Sequence, residues 1–213
     1  MSAIADFDAA FARCPLVAIL RGVKPDEVVE IGEALVEAGF TLIEVPLNSP
    51  DPLESIARLS RAMASRAVTG AGTVLREAEV AAVRAAGGTM IISPNANPAV
   101  IAASASAGLV SLPGVATPTE AFAALDAGAT ALKLFPAEGS SPTVLKAMRA
   151  VFPKGTRVLP VGGIGPDTMG PWLAAGADGF GAASALYKPG FTAAEVSERA
   201  RAFVSGLARE ARQ

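Results

Sequence analysis

The chain has 213 residues, of which 51% are apolar and only 5% aromatic, and its 18 Lys and Arg against 20 Asp and Glu leave a formal charge of −2. That length predicts one domain spanning 1–213, and a near-neutral balance without a basic cluster argues against nucleic acid or an anionic membrane as partner. Histidine is absent, which removes the commonest general base and the commonest metal ligand and leaves chemistry to Lys, Glu, Asp, Arg or hydroxyl groups.

In chain order, the stretch Met1 to Asp6 lacks a basic region followed by an apolar one, and Cys14 is the single cysteine. Both features predict a cytoplasmic protein without disulfides. Residues 5–13 read as a helix ahead of the first strand. The first apolar run, Leu16 to Leu20, closes on Arg21-Gly22. A second, Leu42 to Val45, contains Glu44, and strand alternation sets Leu42 and Glu44 opposite Ile43 and Val45. The third, Ala67 to Ala71, runs into Gly72-Thr73, and the fourth, Met90 to Ile92, into Ser93-Pro94-Asn95.

Residues 85–119 carry no charge, yet Pro94, Asn95, Asn97, Pro98 and Gly108 interrupt them, so a transmembrane helix is not predicted. Within that stretch Pro98 to Gly108 is an uncharged helix, odd for a surface facing water, and is expected at a subunit interface. Four more runs follow: Leu109 to Leu112, Ala131 to Phe135 with Lys133 inside it, Arg157 to Val161 ahead of Gly162-Gly163, and Phe180 to Ala183 ahead of Ser184. Helical patterns between the runs stop at Ala-Gly pairs ending in Gly39, Gly87, Gly108, Gly128 and Gly176. Starts are marked at Pro25, Pro52, Pro98, Pro118, Pro142 and Pro166, as glycine ends and proline begins helices.

A strand–helix unit repeating about every twenty to twenty-four residues predicts an α/β fold, a (β/α)8 TIM barrel with an extra N-terminal helix. An open doubly wound sheet uses the same units, but eight of them with short connections favour the closed barrel.

Active groups in a parallel barrel sit at the carboxyl ends of strands, which singles out Arg21, Glu44, Thr73 and Lys133. If Leu132 and Leu134 face the helices, Lys133 points inward, where lost hydration favours the neutral, nucleophilic amine. Glu44 then faces it across a narrow interior as the leading acid/base group. A buried Lys133–Glu44 support pair is the bland alternative. Arg21 and Thr73 offer donors for a substrate carboxylate, against a surface ion pair for the arginine and a helix N-cap for the threonine. The glycine-rich turns at 162–165 and 179–184 stand where barrels often bind phosphate through backbone N–H groups, although tight turns alone would also use glycine.

Six ordered motifs, Ala18-Ile19-Leu20-Arg21-Gly22, Ile43 to Pro50, Gly70 to Val74, Ser93-Pro94-Asn95, Leu132 to Pro136 and Val161-Gly162-Gly163, carry a resemblance over nearly the whole chain. It resembles the class I pyruvate aldolases that cleave 2-keto-3-deoxy-6-phosphogluconate and -galactonate. The resemblance implies an imine on Lys133, Glu44 as general acid/base, Arg21 and Thr73 on the pyruvate carboxylate, and Gly162, Gly163 and Ser184 on phosphate. Pro94, Phe135, Val161 and Gly181 complete the implied substrate contacts. It further implies no metal or other cofactor, a phosphorylated keto sugar acid and pyruvate as ligands, and a homotrimer. Gluconate enzymes typically read Glu-Val-Thr-Leu-Arg-Thr after the second strand and Thr-Gly-Gly after the seventh. This chain has Glu44-Val45-Pro46-Leu47-Asn48-Ser49 and Val161-Gly162-Gly163, which look like the galactonate branch, with the gluconate epimer as the alternative or second substrate. Rival readings are a metal-assisted aldolase or epimerase, which the lack of histidine disfavours, and a non-catalytic phosphosugar-binding barrel.

Overall fold

The computed structural model describes residues 2–210; Met1 and residues 211–213, the ends of the 1–213 span, lie outside them. The fold is α/β, built on parallel strands. A helix, α1 (Ala3–Arg13), precedes a regular alternation: β1 (Leu16–Ile19), α2 (Val28–Glu37), β2 (Leu42–Pro46), α3 (Pro52–Ala62), β3 (Val68–Gly72), α4 (Glu77–Ala85), β4 (Met90–Ile92) and α5 (Pro98–Ser106). There follow β5 (Val110–Leu112), β6 (Gly114–Val115), α6 (Pro118–Asp126), β7 (Leu132–Leu134), a 3-10 turn (Ala137–Gly139), α7 (Pro142–Arg149), β8 (Val158–Pro160), α8 (Met169–Ala174), β9 (Phe180–Ala182) and α9 (Ala193–Glu210).

All eight apolar runs of the sequence form strands, and beyond the fifth Pro113 separates β5 from a further two-residue strand, β6. Proline has no N–H for the ladder, so the pairing pattern breaks there. The Ala-Gly stops hold as well: Gly39, Gly87, Gly108, Gly128 and Gly176 all take positive φ. Pro52, Pro98, Pro118 and Pro142 open α3, α5, α6 and α7. Two helices start later than their prolines suggest. Pro25 and Pro166 lie in turns, closed by the Lys24 N–H donating to Glu27 Oε1 (3.0 Å) and the Gly165 N–H donating to Thr168 Oγ1 (2.8 Å), and α2 and α8 begin at Val28 and Met169.

Six strands pair in the order β5-β4-β3-β2-β1-β9 and three as β6-β7-β8. Hydrogen bonds cross both seams between these sheets. On one side the Thr130 N–H donates to Ser111 O (2.9 Å) and the Lys133 N–H to Pro113 O (2.9 Å); on the other the Asp178 N–H donates to Val158 O (3.0 Å), and Val161 bridges Gly181 in parallel.

The two faces of each strand enter different cores, as a period of two requires. Leu16, Ala18, Ile43, Val45, Leu132 and Leu134 pack against the helices. Val17, Leu42, Val68, Met90, Ile92, Val110, Leu112, Ala131 and Leu159 face inward, where Phe7, Ala10 and Phe11 of α1 join them. Helix α1 is held there by Arg157, which pairs with Asp8 and stacks 5.0 Å from the Phe11 ring centroid. Among the described residues no helix is long and apolar enough to cross a membrane.

Candidate active site

Lys133 occupies the middle of β7 between two leucines that face the helices, so its own side chain turns inward. It is 6% exposed, and its Nζ lies 4.7 Å from the Phe135 ring centroid. Burial holds its pKa below the ordinary lysine value; the negative charge of Glu44 opposes that shift and the positive charge of Arg21 reinforces it. An amine in this setting spends more time neutral, the form that attacks carbonyl carbon.

Glu44 projects from β2 into the same interior, 1% exposed. Its Oε2 is buried without a hydrogen-bond partner, and burial raises its pKa against the opposing pull of Lys133 and Arg21. The carboxylate fits only because β3 ends in glycine: a Cβ on Gly72 would collide with Glu44 Oε2 and stand 2.7 Å from its Cδ. A carboxyl group so desolvated, free of fixed partners and near a cation can exchange a proton with a ligand. Lys133 and Glu44 are in electrostatic contact, yet no ion pair within 4.0 Å joins them among the described residues. A closed structural salt bridge is therefore not what this pair forms.

Two adjoining cavities meet at Lys133. A narrow inner one is walled by Val17, Ile92, Leu112, Leu159 and Gly181 and holds Glu44. The outer one, of about 380 Å³, opens past Arg21, Phe135, Glu138, Gly162, Gly163 and Ser184. Ile19, Lys133 and Val161 line both. Val161 stands at this junction because Gly181 leaves it room; a Cβ there would lie 2.7 Å from Val161 Cγ2. A third recess of about 190 Å³ lies beside Gly162, Gly163, Gly165, Thr168 and Ser184. Among the described residues no acceptor takes the backbone N–H of Gly162, Gly163 or Ser184, and free N–H groups gathered at such a turn suit an anion.

Arg21 is exposed at the mouth, its Nη1 donating to Asn48 Oδ1 at 2.9 Å. It is oriented by an amide rather than by a surface ion pair. Thr73 follows Gly72 with φ +57°, in the left-handed region that a β-branched residue rarely adopts. The N-cap of α4 is Arg76, so the threonine does not cap that helix. Thr73 and Pro94 stand at the ends of β3 and β4 but line neither of the two cavities that meet at Lys133.

Several residues at the site were not singled out by the sequence. Asn48 orients Arg21, and buried Ser49 accepts the Gly22 N–H at 2.9 Å. Tyr187, the single tyrosine, donates its hydroxyl to Glu27 at 2.9 Å and lines the outer cavity. Glu138 lies against the two glycines. The motif from Glu44 to Ser49 contained the first two, but a turn residue's partner on a neighbouring strand end leaves no periodic trace. Among the described residues no group of three His, Cys, Asp or Glu side chains is placed to hold a metal ion.

Comparison with known proteins points the same way. The family model described as "Aldolase: KDPG and KHG aldolase" matches residues 7–203. A protein of Rhizobium meliloti named probable 2-dehydro-3-deoxy-6-phosphogalactonate aldolase is 47% identical over 186 residues, 87% of this chain and 88% of that one. The 2-dehydro-3-deoxy-6-phosphogalactonate aldolase of Escherichia coli is 42% identical over 201 residues, covering 94% and 98%. A solved structure titled "Native KDPGal structure" superposes with a TM-score of 0.93 at 40% identity, over 94% of this chain and 98% of that one.

Proposed function

Because the chain belongs to the KDPG and KHG aldolase family and is an aldolase, we propose that it cleaves 2-dehydro-3-deoxy-6-phosphogalactonate to pyruvate and glyceraldehyde 3-phosphate through an imine on Lys133. The observation that carries this reading is a single cavity with a buried amine at one end and the Gly162–Gly163–Ser184 turn, with its free N–H groups, at the other. A keto acid with a distal phosphate is a ligand of that shape and charge.

The Lys133 amine attacks the C2 ketone, and loss of water leaves a protonated imine that accepts electrons. Glu44, directly or through water, takes the C4 hydroxyl proton as the C3–C4 bond breaks. That pair flows into the imine to give an enamine and releases the aldehyde. Protonation at C3 and hydrolysis of the imine return pyruvate and free Lys133. Arg21 and Thr73 hold the carboxylate, Pro94 and Phe135 flank the pyruvyl part, and Gly162, Gly163 and Ser184 take the phosphate. Val161 and Gly181 shape the wall between the two ends.

This reading takes the fold as a closed (β/α)8 barrel in one domain, with α1 as an extra helix across its lower end; the hydrogen bonds over both seams support closure. It also takes the protein as a cytoplasmic homotrimer. Helix α5 supports an interface, since its outer positions Ala99, Ala102, Ala105 and Ser106 are uncharged and exposed in the single chain. Ala102→Glu places a charge on that face and is expected to dissociate the trimer in size-exclusion light scattering. Unchanged assembly would remove α5 from the interface.

Epimer choice is assigned to Val161, which offers no hydrogen bond where a threonine would offer a hydroxyl. Cleavage assays of both phosphosugar acids are expected to favour the galactonate epimer. Val161→Thr is expected to lower the galactonate-to-gluconate ratio of kcat/KM about tenfold, the scale of one hydroxyl contact. Equal rates for both epimers in the unmodified enzyme would make it a dual-epimer aldolase instead.

A further inference from the structure

The outer cavity contains one carboxylate that the proposed reaction does not use. Glu138 sits on the exposed 3-10 turn after β7, between the Lys133 end of the cavity and the glycine turn after β8. Backbone contact fixes that turn, since the Ala137 N–H donates to Val161 O at 2.9 Å. The Glu138 side chain lies directly over the two glycines: a Cβ on Gly162 would collide with its Oε2, and one on Gly163 would stand 2.8 Å from its Cγ. No ion pair among the described residues involves it. A carboxylate therefore stands in the outer cavity beside a turn whose N–H groups suit an anion, and accepts none of them.

We propose that Glu138 is a specificity-determining residue, a carboxylate beside the phosphate seat that discriminates against free phosphate in favour of a hydroxyl-bearing phosphate ester. This rests on the reading of the 162–163 turn as the phosphate site. A phosphate on that turn is repelled by the neighbouring carboxylate. Inorganic phosphate gives nothing back. A sugar-acid chain does, because it spans the cavity from Lys133 to the turn and its hydroxyls can donate to the same carboxylate, a charge-assisted contact. Arg21 and Lys133 anchor the other end and hold the ester in place.

The test is competitive inhibition of the cleavage reaction by inorganic phosphate, measured on the full chain and on Glu138→Gln, Glu138→Ala and Asp167→Asn. Asp167 is an exposed carboxylate paired with Arg209 at the surface and serves as a control for general charge. The inhibition constant for phosphate is expected to fall about tenfold in Glu138→Gln, and further in Glu138→Ala, while KM for the phosphorylated substrate changes less than about threefold. Asp167→Asn should leave both unchanged. If phosphate inhibits competitively but both Glu138 variants leave its inhibition constant as it was, the role of Glu138 is wrong and the phosphate seat stands. An equal gain in Asp167→Asn would reduce the effect to overall charge and also overturn the proposal. If phosphate fails to inhibit any form, the seat itself is misassigned and the proposal falls with it.

Discussion

Replacing Lys133 by alanine is expected to abolish borohydride trapping of pyruvate on the protein and to lower kcat/KM by on the order of 10⁴-fold, about 5.5 kcal/mol of transition-state stabilisation. The loss is this large because no neighbouring group can replace the amine. The guanidinium of Arg21 is delocalised and is no nucleophile, and among the cavity-lining residues the remaining lysine, Lys188, is exposed at the rim. Peptide mass analysis of the unmodified enzyme after reduction should place the pyruvyl adduct on Lys133. Lys133→Arg keeps a cation beside Glu44 and should be equally inactive, which separates loss of the nucleophile from loss of charge balance. An adduct on another lysine, or residual trapping in either variant, would move the chemistry elsewhere.

Glu44→Gln is expected to lower kcat/KM by about 10²- to 10⁴-fold, the range for losing a positioned general acid/base, while pyruvate can still be trapped on Lys133. The two steps are thereby separated, because imine formation needs the amine and bond cleavage needs the proton acceptor. The pH profile of trapping supplies a second readout. Burial lowers the pKa of Lys133, and the negative charge of Glu44 pulls it back up. Removing that charge leaves burial and Arg21 acting in the same direction, so the neutral amine persists to lower pH. The rising limb of trapping should therefore move to lower pH in Glu44→Gln. A limb that stays in place would mean that the two groups are electrostatically independent, contrary to their shared cavity.

Much of this site is legible in the sequence because strand alternation is a strict geometric rule. Leu132 and Leu134 had to face one way and Lys133 the other, and the same holds for Ile43 and Val45 against Glu44. Apolar pattern and glycine and proline punctuation are local properties, so they located all eight runs, the five Ala-Gly stops and four of the six helix starts. The two exceptions, Pro25 and Pro166, failed for a local reason of another kind: side chains of Glu27 and Thr168 close turns there first.

Contacts between distant turns were set by the assembled fold. Gly72 reads as part of a motif, but only the approach of β2 to β3 shows that it leaves space for the Glu44 carboxylate. Asn48 reaches Arg21 because β1 and β2 pair in register and deliver both residues to one rim. Glu138 lies over Gly162 and Gly163 because β7 and β8 are neighbours. By itself the sequence determined the strand–helix rhythm, the inward direction of Lys133 and Glu44, and the chemistry open to a chain without histidine. The tertiary structure alone decided which loop ends meet, how deeply the amine and carboxylate are buried, and which carboxylate stands beside the glycine turn. Those properties depend on through-space distance and lost hydration, which no residue's own neighbours in the chain encode.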